Sequence, residues 1–161
     1  MPLTALFTLG ALLHNLEEAV WLPRWSAGVG RLYPRVEPGA FRIAAGMISL
    51  LIAGLAVWAA RAPAGSLADY LFAGMALALA LNALVPHLLA TCARRRYMPG
   101  TATGLALNLP LGLRVIQRSL AEHRIQASTF LWAGPLLLLA FLGLLPLLLA
   151  LGRRIAPVSR P

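Results

Sequence analysis

The sequence predicts an all-α fold, a polytopic membrane bundle of about five transmembrane helices forming a single domain over residues 1–161. Three observations carry that prediction. The chain is 60% hydrophobic and only 12% charged, too apolar for an ordinary water-soluble domain. Uncharged runs cover residues 43–60, 70–93 and 125–152, and roughly 20 apolar residues suffice to span a hydrocarbon core. The formal net charge of +9 comes from arginines, with no lysine, gathered at the ends of apolar runs. That placement sets membrane topology and argues against a nucleic-acid partner.

The first segment, 2–22, has no basic leader and carries His14, Glu17 and Glu18, so it reads as a retained helix and not a cleaved signal. Gly28, Gly30, Pro34, Pro38 and Gly39 then break the helical pattern. Segments 41–60 and 68–93 follow, joined by a short link. The fourth, 97–113, is interrupted by Gly100, Gly104, Asn108 and Pro110, and reads as a short crossing or a re-entrant, partly unwound piece. Leu113, Ile116 and Leu120, with Arg114, Arg118 and Glu122 between them, predict a helix lying in the interface. The leucine-rich segment 128–152 closes the bundle. Cys92 stands alone, so no internal disulfide forms, and its thiol reads as structural.

Ten arginines lie in the first connection, after the third segment and in the tail, against four elsewhere. The bias puts the N-terminus outside and the C-terminus in the cytoplasm. Arginine without lysine, beside abundant alanine, leucine, glycine and proline, fits a GC-rich coding sequence and a bacterial cytoplasmic membrane.

The chemistry concentrates in two segments. At about 100° per residue, Glu17 and Glu18 fall about 60° and 40° to either side of His14, so all three share a face. A charged group at mid-bilayer costs roughly 2.5–3.5 kcal/mol on insertion scales, so partners, protons or a metal must compensate the pair. The third segment supplies Asn82 and His87 around Pro86, which lacks the amide for a helical hydrogen bond and bends the helix there. Counted from Arg24 and Arg94, Glu17 and His87 lie at matching depth, roughly 10 Å in. Tyr97, Thr101 and Thr103 re-enter the same half of the membrane.

These residues resemble the HXXEE domain proteins, named for the pattern at His14, Glu17 and Glu18. Asn82 with His87, then Tyr97, Pro99, Gly100 and Thr101, is similar to the rest of that family's polar signature, and the resemblance spans about residues 5–110. It implies a small integral membrane protein, with an enzymatic role suggested by the motif alone. The zincin pattern, His-Glu-x-x-His, is absent, since this motif has one histidine.

The residues support a metal-dependent intramembrane enzyme, a hydrolase in preference to an oxidase. His14, His87 and one glutamate are the expected ligands of a divalent zinc or iron ion, Glu18 in preference for its smaller offset, and the other of Glu17 and Glu18 is the expected general base. Asn82, Tyr97 and Thr101 are the expected supporting partners. No organic cofactor site is expected. The expected partners are the lipid bilayer and an apolar or lipid-like small-molecule substrate, with an oligomer left open. Two alternatives remain: a small proton- or ion-coupled transporter or binding protein, and a structural accessory subunit.

Overall fold

The computed structural model describes residues 2–29 and 35–156. Gly30, Arg31, Pro34 and Arg160, which entered the turn and topology arguments, lie outside the described residues.

The bundle is all-helical among these residues. Helix α1 (Leu3–Ala27) buries Phe7, Ala11, His14, Asn15 and Glu17, and turns Leu6, Leu9, Leu13 and Leu16 outward. Polar groups inside and leucines outside invert the pattern of a water-solvated helix, as an apolar solvent requires. The helix also runs past Pro23, beyond the predicted end at residue 22. Helix α2 (Pro38–Arg61) starts with proline in its first turn, where the missing amide costs no hydrogen bond.

Glu37 caps α2 by accepting from the amides of Ala40 and Gly39, and these donors hold its carboxyl below the usual glutamate range. A depressed folded-state pKa contributes stability that is complete above the ordinary glutamate value and is lost as pH falls through the lowered one. Glu37→Gln is therefore expected to melt below the wild type in detergent at pH 7, with the gap closing as the solution is acidified. Thermal melts of both proteins across that range check the sign, and a gap that widens in acid contradicts it.

Helix α3 (Leu67–Asn82), a widened π-type stretch (Ala83–Leu88) and α4 (Leu89–Arg94) form one bent rod. The bend falls at Val85, with non-helical φ −131° and ψ 114°, just before Pro86. After a left-handed turn at Arg95 the chain reverses, and α5 (Thr101–Thr103), a second widened stretch (Gly104–Asn108) and α6 (Leu109–Ala121) make a further rod. Helix α7 (Ala127–Ile155) closes the fold.

That second rod corrects the reading of residues 97–122. No separate interfacial helix follows the fourth segment: α6 continues to Ala121, burying Val115 and packing Ile116 against the core. The amphipathic pattern arises because one face meets α1 and α3 while its arginines stay outward. The rod crosses the whole bundle, since Arg118 and Ser119 reach the end where Pro2 and Thr4 lie. The last turns of α7 consequently return to the end that holds the start of α2, where a Cβ on Gly152 would stand 2.3 Å from the Ala40 carbonyl oxygen.

Among the described residues, three stretches are long and apolar enough to cross a membrane: Pro38–Arg61, the bent rod Leu67–Arg94, and Ala127–Ile155. Helix α1 is as long as α2 but interrupts its apolar run with His14, Asn15, Glu17 and Glu18. The main core joins Phe7, Ile52, Leu55, Phe72, Met75 and Val115, with Phe7 and Phe72 edge-to-face at 5.6 Å. Arginines tie the basic end together: Arg94 donates to the Val29 carbonyl at 2.7 Å and Arg42 to that of Ala19 at 3.3 Å. Cys92, read as structural, is exposed.

At the opposite end, Arg124 bonds Asp69 at 2.7 Å and also donates to the carbonyl oxygens of Ala59 (2.8 Å) and Ala62 (3.1 Å). One guanidinium thereby ties the open end of α2 to the start of α3. Asp69 is 3% exposed, so this is a buried ion pair.

Candidate functional site

The site forms where α1, the bend of α3–α4 and the start of α5 meet. Gly100 makes the meeting sterically feasible. It sits at φ +93°, a left-handed conformation that glycine adopts without penalty, and a Cβ there would lie 2.5 Å from His87 Cε1 and 2.9 Å from His14 Cε1. Gly104, one turn on, lets Ala83 approach at 3.0 Å from where its Cβ would be. The two imidazoles consequently stack edge-to-face with ring centroids 5.0 Å apart, both fully buried.

Glu17 and Glu18, adjacent in sequence, have different surroundings. Glu17 turns towards the re-entering chain. Its Oε1 accepts from the Tyr97 hydroxyl and from the Gly100 amide (2.8 Å), and its Oε2 accepts from the Thr103 hydroxyl (2.6 Å). Glu18 turns towards a cavity of about 250 Å³ and the two histidines. Its Oε1 lies 3.1 Å from His87 Nε2, close but not aligned as a hydrogen bond, and its Oε2 lies 3.8 Å from His14 Nε2.

The hydrogen-bond inventory assigns the His14 tautomer. A threonine hydroxyl has one proton, and Thr103 gives it to Glu17. At 3.1 Å from His14 Nδ1 the same oxygen can then only accept, so the ring proton sits on Nδ1. The Nε2 lone pair is left facing Glu18 and the Asn82 amide, whose nitrogen lies at 3.2 Å. Rotation of that amide by a half-turn presents its carbonyl oxygen instead.

Ligand atoms of His14, Glu18 and His87 all lie within 4.8 Å of one another, a group able to hold a metal ion. Two donors 2.0–2.1 Å from one tetrahedral ion stand about 3.3 Å apart, so modest side-chain rotation closes the set. His87 Nδ1 is buried with no hydrogen-bond partner among the described residues. A buried ring nitrogen without a hydrogen-bond partner is costly, which fits a ring whose business is ligation.

Of the remaining predicted site residues, Asn82 and Tyr97 each touch a site group, His14 and Glu17 respectively. Thr101 does not. Its hydroxyl pairs with Thr91 (2.8 Å) and donates to the Met98 carbonyl (2.7 Å), pinning the turn. Thr103 takes the supporting place, and Gly100 supplies both space and an amide. Asn15, inside the motif but given no role from sequence, lines the cavity and donates to Ser49 of α2 at 3.0 Å.

Fold and site together define a class: an all-helical protein with membrane-length helices and a buried His–Glu–His cluster on a cavity wall. Residues 5–115 match the family described as "Protein of unknown function with HXXEE motif", and the chain belongs to that family. It is 32% identical over 153 residues to the uncharacterized protein YrkK of Bacillus subtilis (strain 168), covering 95% of this chain and 97% of that one. No solved structure matches.

Proposed function

We propose that this protein is a membrane-embedded, metal-dependent hydrolase of an apolar substrate, in a bacterial cytoplasmic membrane with its N-terminus outside. The observation that carries the reading is the convergence of His14, Glu18 and His87 on the wall of a largely apolar cavity. Two imidazoles and a carboxylate suit zinc first and non-haem iron second. Such an ion supplies Lewis acidity towards a carbonyl oxygen and makes water a stronger acid. The protein's own residues do the rest. Thr103, held by Glu17, keeps the His14 proton on Nδ1, so that Nε2 carries the lone pair, which now accepts from Asn82 and would be taken over by a metal. Glu18 is the carboxylate that faces the cavity: one of its oxygens would ligate the ion, and the other carries the proton transfers on the substrate side. Glu17, with both oxygens engaged, acts through Thr103 and not on substrate.

Elemental analysis of the purified protein in detergent tests this. Wild type is expected to carry stoichiometric zinc or iron. Glu18→Gln and His87→Ala are expected to lose it. Glu17→Gln, which disturbs only an outer partner of a ligand, is expected to keep the ion with affinity weakened by about 10–100-fold. Wild-type protein that neither retains nor reloads a divalent ion, or an equal content in all four proteins, removes the reading.

A further inference from the structure

We propose that the cavity binds a single apolar chain carrying an uncharged acyl linkage, with the linkage against His14, Glu18 and His87 and the chain pointing towards Leu51, Met75 and Phe141. The inference rests on the hydrolytic reading and names its substrate class. In the reaction, the bond from the acyl carbon to the leaving oxygen or nitrogen breaks and a bond to a water oxygen forms. The leaving atom takes one water proton by way of Glu18.

Size limits the occupant. An apolar cavity of about 150 Å³ holds a benzene-sized group, and pockets for drug-sized ligands begin near 300 Å³. At about 250 Å³ this cavity takes one chain, and any second tail would have to stay outside it. Shape points the same way. Phe41, Ala45, Ile48 and Leu51 line it from one face of α2, a run of about 15 Å along the helix axis. Met75 and Leu79 face them from α3, some two turns before Asn82 and His87. The polar groups thus lie on one wall and the far end is hydrocarbon.

Charge selects the linkage. Among the described residues, the ionisable groups in the lining are His14, Glu18 and His87, with no arginine. Phosphoryl groups call for arginine or lysine clamps. At the basic end, Arg42 and Arg94 bond backbone carbonyls instead. An ester or amide carbonyl needs no such clamp.

The route in is lateral. Val85, at the bend, and Leu142, on α7, both line the cavity and are both exposed, so the gap between these elements opens towards the apolar surroundings. Ala78, also in the lining, is the small side chain beside the far end. Its methyl sets how much chain fits.

The test uses full-length protein in detergent and a hydrolysis-resistant decanoyl amide with a diazirine at the end of its chain, mapped by peptide mass spectrometry after photolysis. Labelling is expected at Leu51, Met75 to Leu79, or Phe141 to Leu145. Ala78→Phe is expected to cut it several-fold, and a hexanoyl analogue to restore it. A hexanoyl result no better than decanoyl in Ala78→Phe overturns the chain-length role of Ala78. If Ala78→Phe does not fold, Leu51→Ala should instead raise labelling by a longer, dodecanoyl probe. Label spread over the outward leucines 131, 136 and 139 of α7, unchanged by either substitution, overturns the proposal. So does decyl phosphate competing as well as the decanoyl amide. Metal content measured on the same samples separates the two readings. Cavity labelling without metal keeps the chain site and removes the hydrolase, whereas metal with scattered label does the reverse.

Discussion

Gly100→Ala is expected to unmake the site. An alanine at φ +93° costs about 1–2 kcal/mol in the left-handed region. Its Cβ would also stand 2.5 Å from His87 Cε1 and 2.8 Å from His87 Nδ1, and forcing extra volume into packed surroundings adds about 1–3 kcal/mol. The same Cβ would stand 2.9 Å from His14 Cε1, and with the two rings in edge-to-face contact neither has much freedom to yield. The expected result is a loss of about 2–5 kcal/mol of stability, with the two imidazoles driven apart. Thermal melting in detergent checks the first part. Zinc or iron titration of the surviving folded fraction checks the second. A variant with wild-type melting and wild-type metal affinity contradicts the packing described for this turn.

Arg124→Met carries the next largest effect, at the opposite end of the molecule. Removing one partner of a buried ion pair typically costs about 3–5 kcal/mol, because the other charge stays behind without compensation. Here the loss also strips the carbonyls of Ala59 and Ala62 of a donor. Arg124 is 29% exposed, so the lower part of that range applies, about 3 kcal/mol. The double variant Asp69→Ala with Arg124→Met should recover part of it. Melting temperatures of the wild type, both single variants and the double variant give the coupling directly. Simple additivity across the four contradicts the clasp.

The helices were legible because each apolar run is bounded by glycine, proline or arginine, and because an uncharged run of membrane-spanning length is rarely tolerated in water. The matching depth counted for Glu17 and His87 from arginines at one end is consistent with the contact between the His14 and His87 rings. Less of the rest was readable, for physical reasons. Thr101 and Thr103 differ by about 200° around a helix, so which one faces Glu17 depends on helix phase. That phase is set by the left-handed turn at Gly100, which leaves no periodic signature. The continuity of α6 was hidden because an amphipathic helix packed in a bundle and one lying in an interface share a pattern. Arg124 looked like a topological charge, since nothing in sequence spacing announces a contact with Asp69 across two loops. The unequal surroundings of Glu17 and Glu18 likewise depend on what α5 presents to each, beyond the reach of α1's own geometry.

The cavity has walls of two kinds. Its polar side is built from α1 and the bent rod, within the stretch that matches the family pattern, whereas α7 lies beyond that stretch and contributes Phe141, Leu142, Leu144 and Leu145. Only part of the apolar wall, the part from α7, is thus free of the family pattern, while the polar groups and the α2 and α3 linings lie inside it. On the proposed reading, exchanging side chains along that one face of α7 would retune which tail is admitted and leave His14, Glu18 and His87 untouched. Relatives could then differ in what they accept while keeping the same polar core.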